Sequence, residues 1–185
     1  MKIMAVKPEL GNAQADRIGV EIVPDSAILK DGKPFFVPDF AGKWELSAGL
    51  AFRISRLGKN IAEKFASRYF DAVTLCMRVT PIDMTEQCPG SAIVTSFDNP
   101  VILGEWQPIT ELVGYELKIN DEVLSETSTS DVAIEKAVSE LSRYFTMKIG
   151  DIVIPFTRRL AMPVEIDTFV SGSLNGVNVL GFKIK

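Results

Sequence analysis

The sequence predicts an α+β domain dominated by β-structure. Three observations carry that expectation: apolar residues recur with a period of two more often than 3.6, only two stretches show helical spacing, and no repeat, low-complexity block or Pro/Gly/Ser linker divides the chain. With 185 residues, 46% hydrophobic and 24% charged, the chain is long enough for one folded domain spanning 1–185 and short for two.

From Trp44 to Ser55 the even-numbered residues Trp44, Leu46, Ala48, Leu50, Phe52 and Ile54 alternate with Glu45, Ser47, Gly49, Ala51, Arg53 and Ser55. That is a strand whose even set faces a core. Leu57-Gly58-Lys59 turns the chain, and Asn60 with Glu63 three residues on has capping-box spacing, which opens a short helix carrying Ile61, Phe65 and Tyr69. Ala72–Thr80 is the next strand, with Val73, Leu75, Met77 and Val79 on one face and Ala72, Thr74, Cys76 and Arg78 on the other. Pro81 to Gly90 reads as loop. Short strands follow at Ala92–Thr95, Val101–Leu103 and Glu116–Ile119, the last turning through Asn120-Asp121 into Val123–Ser125. A second helix, capped by Ser130 or Asp131, runs to Phe145 and buries Ile134, Val138, Leu141 and Phe145. Gly150-Asp151 then leads into Ile152–Pro155, and Val177–Ile184 closes the chain as a strand.

Charge and composition remove several classes of function. A net charge of −4 leaves no basic footprint for a phosphate backbone, so no nucleic-acid partner is expected. The chain contains 0 histidines, which excludes Ser-His-Asp relays and His-ligated zinc. Cys76 and Cys88 are too few for a disulfide framework and too far apart for a CxxC motif; Cys76 reads as a buried small hydrophobe and Cys88 as an oxidation-sensitive thiol. No long apolar run follows Met1-Lys2-Ile3-Met4-Ala5-Val6, and none elsewhere reaches the length of a membrane span, so no membrane partner and a cytoplasmic setting are expected.

Several phrases together resemble the fumarylacetoacetate hydrolase family, with its acylpyruvase and oxaloacetate decarboxylase members. They are Pro24-Asp25-Ser26-Ala27-Ile28-Leu29 with Gly32-Lys33-Pro34, Arg56-Leu57-Gly58-Lys59-Asn60-Ile61-Ala62-Glu63, Tyr69-Phe70-Asp71-Ala72-Val73-Thr74, Ser96-Phe97-Asp98-Asn99, and Tyr144-Phe145-Thr146-Met147-Lys148-Ile149-Gly150-Asp151. The resemblance implies a mixed β-sandwich roll with about two main helices, usually dimeric. It also implies Mg²⁺ or Mn²⁺ held by a Glu-x-Glu pair and an Asp on the next strand, and cleavage or decarboxylation of keto acids through an enolate.

The residues depart from that pattern at the metal. Counted without a gap, the Glu-x-Glu pair falls on Ser47 and Gly49, the Asp falls on Arg78, and the lysine before the Gly-Phe-Asp phrase is Thr95. Asp83 remains from the phrase that follows, while the Thr-Gly-Thr-Pro loop becomes Pro155-Phe156-Thr157-Arg158. The segment 1–23 is a shortened, reworded version of the usual N-terminal region, with Lys7 to Asp16 in place of a His-containing lid. Two unit charges about 4 Å apart interact by roughly 4 kcal/mol at an effective dielectric near 20, so Arg78 would repel a divalent ion by several kcal/mol. No cofactor is expected. A rebuilt metal site using Glu45 with Asp83 or Asp98 stays open beside a solvated role for Glu45.

The candidate pocket is therefore Ser47, Gly49, Arg78, Asp83, Thr95 and Asp98, with no assigned catalytic residue. Arg78, Arg158 and Arg159 are candidates for holding an anion. The alternative is that Arg78 pairs internally with Asp83, Asp98 or Glu45 while Arg158 and Arg159 lie in a solvated loop. Three functions follow: a homologue without metal-dependent activity, working as a homodimer or with an active paralogue or a small carboxylate as partner; a keto-acid enzyme with a rearranged site; or a small-anion binding protein.

Overall fold

The computed structural model describes residues 1–7, 19–30, 32–109, 114–127, 134–155 and 160–185. Among them the chain forms β1 (Lys2–Lys7), β2 (Gly19–Pro24), β3 (Ile28–Leu29), β4 (Trp44–Ile54), β5 (Phe70–Pro81), α1 (Ile82–Gln87), α2 (Ala92–Thr95), β6 (Val101–Leu103), β7 (Gln107–Pro108), β8 (Tyr115–Ile119), β9 (Glu122–Thr127), α3 (Ile134–Tyr144), β10 (Ile152–Pro155), β11 (Leu160–Pro163), β12 (Phe169–Leu174) and β13 (Val177–Lys183). The mostly-β class read from the period-two pattern is what the chain adopts. No helix among the described residues is long and apolar enough to cross a membrane.

The large sheet runs β2-β1-β10-β4-β5-β6-β3, with β11 pairing β4 and β7 pairing β5. Its terminal strands β2 and β3 are consecutive in sequence, joined by a single 3-10 turn at Asp25–Ala27. The chain itself therefore draws the two ends of the sheet together, and the sheet curls into a roll. Inside the roll lies a core of small and β-branched residues, Ile3, Ala5, Val23, Ala51, Cys76, Val101, Ile152 and Ile154 among them. Outside it, the second sheet β13-β12-β8-β9 and α3 cover a larger core containing Leu46, Leu50, Val73, Leu75, Met77, Val138, Leu141 and Phe182. The central strands β4 and β5 are thus buried on both faces, which is why Ser47, Ala51, Thr74, Cys76 and Arg78 are buried as well as the expected set. At Gly104, after β6, an added Cβ would lie 2.4 Å from the Val179 carbonyl oxygen, so the approach of β6 to β13 requires glycine.

Four local expectations are corrected. The first helix is a 3-10 helix over Glu63–Tyr69 preceded by Ala62, because Asn60 adopts φ 51°, a left-handed conformation that no N-cap uses. Its burial rests on Ile61 and Ala66, whereas Phe65 is exposed beneath the Lys64 and Arg68 cations. The expected loop after Pro81 contains α1, since proline is tolerated at a helix start and Pro89-Gly90 ends the segment only later. The expected strand Ala92–Thr95 is instead the helical turn α2, capped by the Ser91 hydroxyl, which accepts from the Ile93 N–H at 3.3 Å. The helix over α3 buries Ile134, Val138 and Leu141 as read, but Phe145 lies beyond its end and is half-buried; Ser130 and Asp131 fall outside the described residues. Strands β1, β2, β3, β7, β11 and β12 were not foreseen, being short or lacking clean alternation.

Candidate functional site

The long β4–β5 pairing sets the geometry. Its register puts Ser47 opposite Arg78, Gly49 opposite Cys76 and Glu45 opposite Thr80. Ser47, Gly49 and Arg78, read from sequence as the former metal positions, therefore do share one face of two adjacent strands. On the other side of β5, Arg78 pairs with Val101 of β6, so this residue sits in the middle of the sheet and is 5% exposed.

A guanidinium so deeply placed requires an anion, and Glu21 of β2 supplies it: its Oε2 accepts from Arg78 Nη1. On a flat sheet four strand spacings of about 4.8 Å would hold β2 and β5 roughly 19 Å apart. The curl closes that gap across the interior of the roll. The internal pairing expected of Arg78 is present, but the partner is Glu21 and not Asp83, Asp98 or Glu45. Sequence reasoning missed Glu21; the signal was a lone carboxylate within Gly19-Val20-Glu21-Ile22-Val23-Pro24, whose pairing with β1 sets Glu21 opposite Ala5 on the inner face.

The other candidates divide. Thr95 is buried on α2; its Oγ1 lies 3.2 Å from the Ser96 Oγ, and that hydroxyl reaches the Ile22 carbonyl at 3.5 Å, beside Glu21. Asp83 is committed elsewhere. Its carboxylate accepts from the Gly42 N–H at 2.8 Å and the Met84 N–H at 3.1 Å, and these bonds, the Gly42 one foremost, hold its pKa below the usual carboxylate range. Asp98 is exposed. Its neighbour Phe97 joins Phe40 and Trp44 in an edge-to-face aromatic trio, with centroids 5.1 to 5.5 Å apart, at the start of β4. Arg158 and Arg159 lie outside the described residues. Burial pushes the Cys76 thiol up to about 12 despite the nearby Arg78 charge, so it is chemically inert at neutral pH, while Cys88 is exposed.

The donor set does not fit a hard divalent cation. Such an ion takes several anionic oxygens; here the three positions carry a hydroxyl, a hydrogen and a guanidinium, and no group of three or more His, Cys, Asp or Glu side chains suited to a metal occurs among the described residues. Among the described residues the arrangement offers the Arg78 cation, the Glu21 carboxylate, and the hydroxyls of Ser47 and Thr95.

Comparison with known proteins converges on one family. The model for "Fumarylacetoacetate (FAA) hydrolase C-terminal" matches residues 10–157. The mitochondrial oxaloacetate tautomerase FAHD1 of Mus musculus is 23% identical over 173 residues, covering 88% of this chain and 78% of the relative. Oxaloacetate tautomerase YcgM of Escherichia coli K12 is 24% identical over 161 residues, with 80% and 74% covered. Among solved structures, a 5-carboxymethyl-2-hydroxymuconate delta-isomerase from Mycobacterium smegmatis superposes with TM-score 0.86 at 22% identity, covering 99% of this chain and 78% of that one. A fumarylpyruvate hydrolase from Pseudomonas aeruginosa, solved with Mn²⁺ and pyruvate, gives 0.84 at 17% identity over 100% and 89%. Both solved structures share the architecture of this chain.

Proposed function

The chain belongs to the fumarylacetoacetate hydrolase C-terminal family, and from that premise we propose that it keeps the family scaffold without the family's divalent-metal chemistry, as a non-catalytic homologue with a structural or partner-binding role. One observation carries this reading: a buried Arg78, paired with Glu21, stands in the register position opposite Ser47 where the resemblance puts a metal carboxylate. The guanidinium fills that position with its charge already met by Glu21, and neither it nor Ser47 nor Gly49 offers a divalent ion an anionic oxygen. The reading takes a homodimer, or pairing with an active relative, as the working assembly. The cytoplasmic setting expected from the sequence stays part of the proposal, although the matched FAHD1 relatives are named mitochondrial. Titration of the purified protein with Mg²⁺ and Mn²⁺ by calorimetry tests it. No stoichiometric binding is expected; tight binding of one ion per chain overturns the reading.

A second reading has an observation of its own, since the curated relatives matched are named oxaloacetate tautomerases. Keto–enol exchange is a proton transfer through an enolate, and a fixed guanidinium can stabilise developing negative charge. The protein would then be a metal-free keto-acid enzyme with Arg78 as the electrostatic element. Assays with oxaloacetate and acylpyruvates in chelator separate the two readings: turnover that is lost in Arg78→Ala favours the enzyme, and turnover in neither protein favours the non-catalytic homologue.

A further inference from the structure

We propose that the surface built from the turn 55–60, the 3-10 helix Glu63–Tyr69 and the C-terminal end of α3 with residues 145–150 docks a segment of a partner protein in which acidic and apolar side chains are interspersed. This surface adjoins the far end of β4, roughly 23 Å along the strand from Ser47, and is independent of whether a metal binds there.

Backbone bonds fix the three segments against one another. Gly58 and Met147 exchange bonds of 3.0 and 2.8 Å, the Asn60 N–H donates to the Ser142 carbonyl at 3.0 Å, and the Ser55 N–H donates to the Tyr69 carbonyl at 2.8 Å. The Lys59 ammonium adds a bond of 3.1 Å to the Arg143 carbonyl in the last turn of α3. The charge on these segments runs against that of the chain. Arg56, Lys59, Lys64, Arg68, Arg143 and Lys148 stand exposed on them against two carboxylates, Glu63 and Glu140, in a chain of net charge −4. Glu140 pairs with Arg143, and the bordering Asp71 and Asp151 pair with Arg53 and Lys2. Large apolar side chains stand among the cations. Leu57 and Ile149 are 68% and 73% exposed, and the antiparallel bridge of Gly58 to Met147 sets Leu57 beside Lys148. Phe65 and Tyr144 are exposed as well.

That mixture selects the partner. Cations gathered on one surface attract and orient an anionic partner. The two rings lie beneath cations and do not project past them: Lys64 and Arg68 sit 5.0 and 4.9 Å from the Phe65 ring centre, and Arg143 sits 6.0 Å from that of Tyr144. Insertion into a lipid surface needs an apolar face that reaches beyond the charges, and a phosphate backbone offers nothing to Leu57 and Ile149. A polypeptide carrying both carboxylates and apolar side chains satisfies the whole surface, and Arg and aromatic residues are the types enriched where proteins meet.

Fluorescence anisotropy with a labelled peptide of Glu-Glu-Leu-Phe repeats provides the test. Saturable binding to the full chain is expected, with the matched Lys-Lys-Leu-Phe peptide not binding. Arg68→Glu with Arg143→Glu should weaken binding by about tenfold or more, whereas Lys30→Glu with Lys33→Glu, an equal change of net charge at exposed positions outside the surface, should leave it within about twofold. Leu57→Ser with Ile149→Ser should weaken it by about threefold. Equal loss in the two charge pairs, no loss in the serine pair, or no saturable binding overturns the proposal. Should charge reversal prevent folding, Arg68→Gln with Arg143→Gln against Lys30→Gln with Lys33→Gln makes the same comparison, and equal affinity overturns it. Vesicles of phosphatidylcholine with phosphatidylserine, and a single-stranded RNA, are the competing occupants: tighter binding of either than of the acidic peptide overturns the protein partner.

Discussion

Asp151, which is buried, and Glu21, which is half-buried, each face a cation, and they do different work. Asp151, 1% exposed, accepts from the Lys2 N–H at 3.0 Å, from the Lys148 N–H at 2.8 Å and from the Lys2 ammonium. It fastens the first residues of β1 to the turn that launches β10, and so fixes the parallel pairing of Ile3 with Ile152. Glu21 meets a side chain, the Arg78 guanidinium, across the interior of the roll. A carboxylate bonded to two backbone N–H groups serves the framework, because its loss takes the acceptor from both part-buried donors at once. A carboxylate that neutralises a side-chain cation can be replaced together with that cation.

The largest effect that would test this contrast is at Asp151. Asp151→Ala should destabilise the protein by about 3–5 kcal/mol, because it strips the acceptor from two backbone donors and a lysine together. Lys2→Ala leaves the backbone bonds in place and should cost less, about 1.5–3 kcal/mol. Urea unfolding measures both, and an Asp151→Ala variant no weaker than Lys2→Ala would break the distinction.

Joint replacement discriminates further. Glu21→Leu with Arg78→Met substitutes an apolar contact for an ion pair, an exchange that elsewhere runs from neutral to about 1–4 kcal/mol stabilising, whereas either single change strands a buried charge. The double variant should therefore be at least as stable as its better single parent. The corresponding exchange at Asp151 and Lys2 should show no such recovery, since the N–H groups of Lys2 and Lys148 remain. Cys76 reports the same face kinetically, two residues from Arg78 on β5, with a thiol pushed up to about 12. In the native wild type a thiol reagent should modify Cys88 and spare Cys76; faster labelling of Cys76 in Glu21→Gln would show that the pair keeps the roll closed.

How much of this was legible in the sequence depended on whether the signal was local. The alternation from Trp44 to Ile54 fixed β4, and the run to Thr80 fixed most of β5, whereas the nearness of Ser47 to Arg78 is what the family resemblance implies and the register shows. Asn120 and Asp121 took the left-handed turn their residue types favour, with φ 46° and 70°. Glu21 could not be found that way. It reaches Arg78 because β2 and β3 are consecutive in sequence yet terminal in the sheet, a property of the closed topology and invisible to periodicity. Asp151 was read as a turn residue for a similar reason: its partner Lys2 lies 149 residues away. The family resemblance puts Asp83 in the pocket, whereas α1 gives it to the loop before β4.

Asp83 offers the smallest effect and the sharpest control, because it separates backbone bonding from burial. Like Asp151 it accepts two backbone N–H bonds; unlike Asp151 it is open to solvent. Its folded pKa is lowered by those bonds, the one from Gly42 first. The unfolded chain therefore binds more protons than the folded one between the two pKa values, and stability rises with pH there. The contribution is fully present above the ordinary carboxylate value near 3.8 and is lost as pH falls through the lowered folded value. Stability curves of the wild type and Asp83→Asn should run parallel from about pH 8 to about pH 5 and converge only below about pH 4. Convergence would assign the loop's hold on β4 to the charge on Asp83. A separation that persists unchanged to acid pH would assign it to shape, and would show that backbone bonding without burial does not make a carboxylate part of the framework.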